Sequence, residues 1–307
     1  MTNTAARVVV VGSINVDQVV RVDRHPRPGE TLVGGSLQLL PGGKGANQSV
    51  AAALRGAHVS MIGAVGDDAH AITALGTLRS SGVDVSSVRV APGPTGLALI
   101  TVAADGENTI IVVPGANDAV TADVAEQHAG LLETAAIVVL QGEIPVGTIA
   151  AVMVRTTGRV VLNLAPVIAL PAEALRLADP LVVNEHEAAL LLQQVDPDHE
   201  LPGDDAGVAD ALRAWGIASV VVTRGPLGAI ISDATGTHTI AAPTVESVDS
   251  SGAGDAFVGA LSAELAAGAT LVDGVRLAVR VGAFAVRGHG TQPSYPTLND
   301  VLPKAAA

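Results

Sequence analysis

Short apolar runs rich in valine, each ending at a small or polar residue, recur along this chain. They are RVVVVG (7–12), HVSMIGAVG (58–66), AAIVVLQG (135–142), RVVLNLAP (159–166), PLVVNE (180–185) and ASVVVTRG (218–225). Such runs suit strands buried on both faces. Segments with helical character separate them: GANQSVAAALRGA, DAHAITALGTLRSSG, TADVAEQHAGLLETA, PVGTIAAVMVRTTG, EHEAALLLQQ and DDAGVADALRAWG. Strand alternating with helix predicts an α/β fold, a doubly wound, mainly parallel sheet with helices on both faces. Aromatic residues are only 1% of the chain, so the core must be built from Val, Ala, Leu and Ile. In such sheets ligands sit beyond the carboxyl ends of the strands. That directs attention to the junctions GSIN, LQGE, LNLAP, VVNE and VVTRG.

Two stretches break the rhythm. DQVVRVDRHPRPGETLVGGSLQLL (17–40) has no helical period, and TGLALITVAADGENTIIVVPG (95–115) reads as a hairpin around Asp105-Gly106. Both are expected to leave the main sheet. One α/β domain over 1–307, with lid insertions at about 17–41 and 95–114, accounts for them better than two domains. A small β subdomain beside the strand ends would cover a site; the alternative is an edge hairpin without function.

The formal net charge of −13 argues against nucleic acid as a partner. With no cysteine there is neither a disulfide nor thiolate chemistry. The start, MTNTAARVVVVGS, is too short in its apolar run for a signal peptide or a membrane span. A cytoplasmic protein that avoids membranes is the expectation.

VDSSGAGDAF (248–257) places Gly252, Ala253 and Gly254 directly before Asp255, where a helix-favouring run begins. Free N–H groups at a helix start, reinforced by its dipole, bind anions. An ionised acid beside a bound anion is costly unless it takes a proton from an attacking hydroxyl. Phosphoryl transfer needs such a base and such a cradle. The alternative is that Asp255 only caps the helix. The dinucleotide fingerprint is absent, because Phe257 stands where its third glycine belongs.

PGGKGANQSVAAALRGA (41–57) resembles a phosphate-binding loop but lacks the Ser/Thr after Lys44. Amides of Gly42 and Gly43 with the Asn47 side chain suit a neutral polyol, or else form a tight turn. In GSINVDQ, Asn15 and Asp17 end the first strand as hydroxyl acceptors or as turn formers. Glu143 follows another strand. Asn184 and Glu187 share a helix face and could hold water around Mg²⁺. TRGPLG, residues Thr223, Arg224, Gly225, Pro226, Leu227 and Gly228, could lie along a nucleotide.

GSINVD, PGGKGANQ, NEHE, TRGPLG and VDSSGAGDAF, in this order and through to GTQPS, together resemble the ribokinase branch of the PfkB sugar-kinase family. The resemblance implies a doubly wound α/β domain with a β lid that forms a homodimer contact. It implies transfer of the ATP γ-phosphoryl group to a small-molecule sugar, D-ribose at its 5-hydroxyl. Asp255 would be the base, and the amides of Gly252, Ala253 and Gly254 the anion hole. Asn15, Asp17, Gly42, Gly43, Lys44, Asn47 and Glu143 would hold the sugar; Asn184 and residues 223–228, with Gly254, would hold ATP. Glu187 completes a motif linked to Mg²⁺. A monovalent cation, K⁺, would sit among Asp249, Ser251, Ala285, Gly288, Gly290 and Ser294. Ser250-Ser251, Val183 and Val279 depart from the usual pattern. Other acceptors remain open: 2-deoxyribose, a ketohexose, or a nucleoside, the last disfavoured by the scarcity of aromatic faces. A non-catalytic sugar or nucleotide sensor and a Rossmann oxidoreductase are the readings outside this chemistry.

Overall fold

The computed structural model describes residues 7–198 and 200–305, so residues 1–6 of the N-terminal stretch weighed above lie outside the described residues. In chain order the first half contains β1 (Arg7–Val11), β2 (Asn15–Arg21), β3 (Leu37–Gly42), α1 (Lys44–Leu54), β4 (His58–Gly66), α2 (His70–Ser80), β5 (Asp84–Ala91), β6 (Gly96–Val102) and β7 (Asn108–Val113). Then follow α3 (Val124–Gln127), α4 (Ala129–Thr134), β8 (Ile137–Gln141), α5 (Val146–Arg155), β9 (Arg159–Asn163), α6 (Ala172–Leu175), β10 (Ala178–Asn184) and α7 (Glu185–Val195). The last elements are α8 (Asp205–Trp215), β11 (Val220–Thr223), β12 (Ala229–Asp233), β13 (Gly236–Ile240), α9 (Ala253–Ala266) and α10 (Leu271–Ala285).

The larger sheet has nine strands in the order β13-β12-β11-β10-β9-β8-β1-β4-β5. From β5 through β11 every pairing is parallel; β12 and β13 turn back antiparallel at one edge. Its central strands are fully buried, as IVVLQ of β8 shows, and each face carries its own apolar layer. That is why these runs do not alternate in polarity: both faces are covered. The helical segment at 121–135 is divided at His128, whose backbone leaves the helical region, into α3 and α4.

The two rhythm-breaking stretches meet in a separate four-stranded sheet, order β3-β2-β6-β7. Residues 22–36 between β2 and β3 form no helix or strand. The β6–β7 turn closes where expected: Gly106 adopts φ +91°, and Ala103 and Glu107 bond across it. Cross-strand register sorts the faces. Leu40, Asp17, Ala98 and Val112 form one row, and Leu39, Gln18, Leu99 and Ile111 the next. The first row faces a cleft against the large sheet. In the second, Leu39, Leu99 and Ile111 are exposed.

Candidate active site

The cleft between the two sheets has a volume of about 620 Å³. Its floor is the first turn of α9 and the start of α1. Gly252 caps α9 in the left-handed region, φ +72°, a conformation glycine takes without penalty. Three residues on, the Asp255 carboxylate is buried yet reaches the cleft. No described oxygen accepts the amides of Gly252 or Gly254, so both are available to an anion. Ala253 departs from the expectation: its N–H points to the Ser250 carbonyl at 3.3 Å, because the turn before the helix closes on itself.

Asp255 is held from both sides by α1. Asn47 Nδ2 donates to Oδ2 and Gln48 Nε2 donates to Oδ1, each at 2.9 Å. Behind Asn47, Gln292 Nε2 donates to Asn47 Oδ1 at 2.9 Å. Tyr295 is buried against the same turn and donates to the Gly252 carbonyl at 3.1 Å. Burial first, then the nearby Asp255 and Asp17, push its phenol well above the usual value; it stays a neutral donor.

The strand-one junction supplies the other polar groups. Asn15 Oδ1 accepts from Asn117 Nδ2 at 2.7 Å, and Asn117 Oδ1 accepts the Ile14 N–H at 2.8 Å. Gly42 ends β3 opposite Asn15, and Gly43 precedes α1. Glu143 Oε2 accepts from Ser13 Oγ at 2.6 Å and from the Lys44 N–H at 3.1 Å. Asp17 faces the cleft without such donors. Burial, with Glu143 and Asp255 nearby, raises its pKa to about 7, against the pull of Lys44. The Lys44 pKa is also raised: Asp255 foremost, with Glu143, Glu187 and Asp17, outweighs burial and favours the ammonium.

Asn15, Asp17, Gly43, Lys44, Asn47, Glu143, Asp249, Ser251, Gly252, Asp255 and Gly290 all line this cleft. Asn184 and Thr223 do not; they are register partners at the ends of β10 and β11. Asn184 and Glu187 form a reciprocal cap on α7, both bonds being 2.8 Å. Residues 225–227 make one 3₁₀ turn, and Arg224 lies 3.9 Å from Asp205. Val279 is buried in α10 among core residues.

The segment after α10 folds against the turn before α9. Asp249 Oδ1 accepts the Ser251 N–H and Oδ2 the Gly290 N–H, both at 2.9 Å. Although burial opposes it, these bonds hold the Asp249 carboxyl below its usual range. Gly288 lies against Ser294, and Gly288 N–H bonds the Ala285 carbonyl at 3.2 Å. Of the six residues expected around a monovalent cation, Asp249 and Ser251 thus lie in the turn before α9, Gly288, Gly290 and Ser294 in the adjoining segment after α10, and Ala285 ends α10 itself.

A family model described as pfkB family carbohydrate kinase matches residues 5–298. The chain belongs to the pfkB family. A curated ribokinase of Bacillus subtilis is 37% identical over 298 residues, covering 96% of this chain and 97% of that protein. A deoxyribokinase of Salmonella typhi is 33% identical, covering 95% and 96%. Among solved structures, a ribokinase of Arabidopsis thaliana complexed with ribose and ATP superposes with a TM-score of 0.85 at 30% identity, covering 96% of each chain. Membership makes this chain an ATP-dependent sugar kinase, and its cleft holds a buried carboxylate, a helix-start amide without a described acceptor and several polar side chains. Among the described residues no helix is long and apolar enough to cross a membrane.

The sequence reading missed Ser13, Gln48, Asn117, Gln141, Asn163, Gln292 and Tyr295. Most of them stand in stretches already singled out: Ser13 in GSIN, Gln48 in GGKGANQ, Gln141 in LQGE and Asn163 in LNLAP. They touch other site residues rather than the open cleft, so no local pattern marks them.

Proposed function

We propose that this chain transfers the γ-phosphoryl group of ATP to the 5-hydroxyl of D-ribose, giving D-ribose 5-phosphate and ADP. The observation that carries the reading is Asp255: a buried carboxylate that lines the cleft with Gly252, clamped by two amides, in a helix start whose Gly252 and Gly254 N–H groups have no described acceptor. Asp255 takes the hydroxyl proton as the sugar oxygen bonds to the γ-phosphorus. The bond to the bridging oxygen breaks, and ADP leaves with that electron pair. Gly252 and Gly254 amides receive the growing charge on the transferred group.

In this reading Asn15, Asp17, Lys44, Asn47 and Glu143 hold the sugar. Asn184 and residues 223–228 hold ATP, since they end the adjoining strands β10 and β11. Mg²⁺, bound with the nucleotide, supplies charge neutralisation. Glu187 uses Oε2 in the α7 cap and keeps Oε1 for water around the ion. Hard oxygen ligands suit K⁺ in the loops of Asp249 and Gly290, and the cation would stiffen the turn before Gly252. Replacing K⁺ by a large organic cation should then slow turnover; an unchanged rate would remove it from the account. The four-stranded sheet acts as a lid on one cytoplasmic domain. Its exposed Leu39, Leu99 and Ile111 meet a second copy, so Leu39→Glu should yield monomers in sedimentation.

A coupled assay of ADP release with ribose, 2-deoxyribose, fructose, tagatose and adenosine tests the substrate. Ribose should give the highest kcat/KM. The deoxyribokinase likeness favours 2-deoxyribose as the second reading. If Asp17 bonds the 2-hydroxyl, its absence costs about 1–3 kcal/mol, or roughly 5- to 150-fold. Adenosine as the preferred substrate, or no sugar-dependent ADP at all, would refute the assignment.

A further inference from the structure

Beneath the cleft lies a chain of buried amides that the proposed reaction does not itself use. Gln48 is fully buried on α1. Its Nε2 donates to Asp255 Oδ1 and to Asn163 Oδ1, both at 2.9 Å. Its Oε1 accepts from Gln141 Nε2 at 2.7 Å. Asn163 Nδ2 donates in turn to the Val182 carbonyl at 3.0 Å. Both Gln48 hydrogens and its oxygen are therefore spent. A carbonyl at Val182 can only accept, which orients Asn163. That in turn orients Gln48, since reversing its amide would set oxygen against both Asn163 Oδ1 and Asp255 Oδ1. The order runs from the ends of β8, β9 and β10 to the carboxylate on α9.

We propose that Gln48 is a positioning residue: it pins Oδ1 of Asp255 inward and so presents Oδ2 to the attacking hydroxyl. Asn47, which holds Oδ2, lines the cleft; Gln48 does not. Gln48 reaches the carboxylate because α9 packs tightly on α1 at Gly259, where a Cβ would stand 2.6 Å from the Gln48 carbonyl. A carboxylate that loses one of two anchoring donors rotates about its last bond. The charged or titratable groups facing Asp255 from other elements are Lys44 of α1, Asp17 of β2 and Tyr295. None of them contacts Gln48 through a hydrogen bond.

The inference rests on Asp255 being the base. Its test compares Gln48→Leu, Gln48→Glu and Asp255→Asn in full-length protein, reading kcat, sugar KM and the pH profile of ADP release. Gln48→Leu should lower kcat about 10- to 100-fold, part of the 10²–10⁴ a positioned base supplies, with sugar KM within about twofold. Gln48→Glu keeps the size and the acceptor for Gln141. Protonated, it has one O–H where Gln48 has two N–H donors, so it can restore the bond to Asp255 but not also that to Asn163; ionised, it restores neither, so its activity relative to the parent should rise as pH falls. That recovery is a readout a purely structural role would not move, and it stands even if Gln48→Leu fails to fold. If Asp255→Asn is inactive while Gln48→Glu keeps the parental kcat and profile, or changes KM alone, the positioning role is overturned. If Asp255→Asn stays active, the kinase reading fails first.

Discussion

The two sides of the proposed site are made differently. Under the small sheet, Asn15, Asp17, Asn47 and Asp255 are 3%, 9%, 4% and 6% exposed, and all but Asp17 are held by other side chains. At the ends of β10 and β11 Asn184 and residues 225–227 are exposed, Leu227 by 61%, Thr223 and Arg224 are half-buried, and the groups consist of caps and backbone turns. A buried polar group must be paired within the protein or by its ligand. The first side is thus preorganised and selective. The second side offers surface contacts that tolerate change.

Substitutions can break or sharpen that contrast. Short of removing Asp255, the largest effect is expected for Asp17→Leu, which removes an acceptor aimed at sugar hydroxyls: KM for ribose should rise about 10- to 100-fold in steady-state kinetics, with ATP KM nearly unchanged. Gly259→Ala should come next. The added methyl would press α9 off α1, costing about 1–3 kcal/mol in denaturant unfolding and lowering kcat as Asp255 shifts.

Asp17 also predicts a pH effect on the sugar-free protein. Its pKa is raised from 3.8 to about 7 on folding, so the native state binds the proton more tightly than the unfolded chain. The stabilisation is complete below about pH 4 and is lost as pH climbs to about 7. Unfolding at a series of pH values should show that decline, and Asp17→Asn should flatten it. Ribose binding should move oppositely, tightening as the carboxylate ionises. Smallest of all, Arg224→Ala at the ends of β10 and β11 should alter ATP KM by no more than about threefold, since its pairing with Asp205 is long, at 3.9 Å. A tenfold change there would erase the contrast.

Much of this was legible in the sequence because periodicity and small-residue turns are local signals. HVSMIGAVG became β4 to the residue, and the Asp105-Gly106 turn fell where alternation placed it. Unanticipated were β5, β12, β13 and α10; of these β5 and β13 are edge strands, partly wet, and read as loops. The anion cradle was legible as GAGD, but the closure of the Ala253 amide on Ser250 depends on turn geometry that residue types do not dictate. The amides of Gln48, Gln141, Asn163 and Gln292 lie far apart in sequence. Only the packing of α1 on α9 and of both on the strand ends joins them.

The most direct test is Asp255→Asn measured two ways, ribose-dependent ADP release and ribose binding by titration calorimetry. Turnover should fall by about 10²–10⁴ or more, while ribose still binds within about threefold of the parent. A variant that keeps half its turnover would contradict the assignment of this carboxylate as the base, and the phosphoryl-transfer account with it.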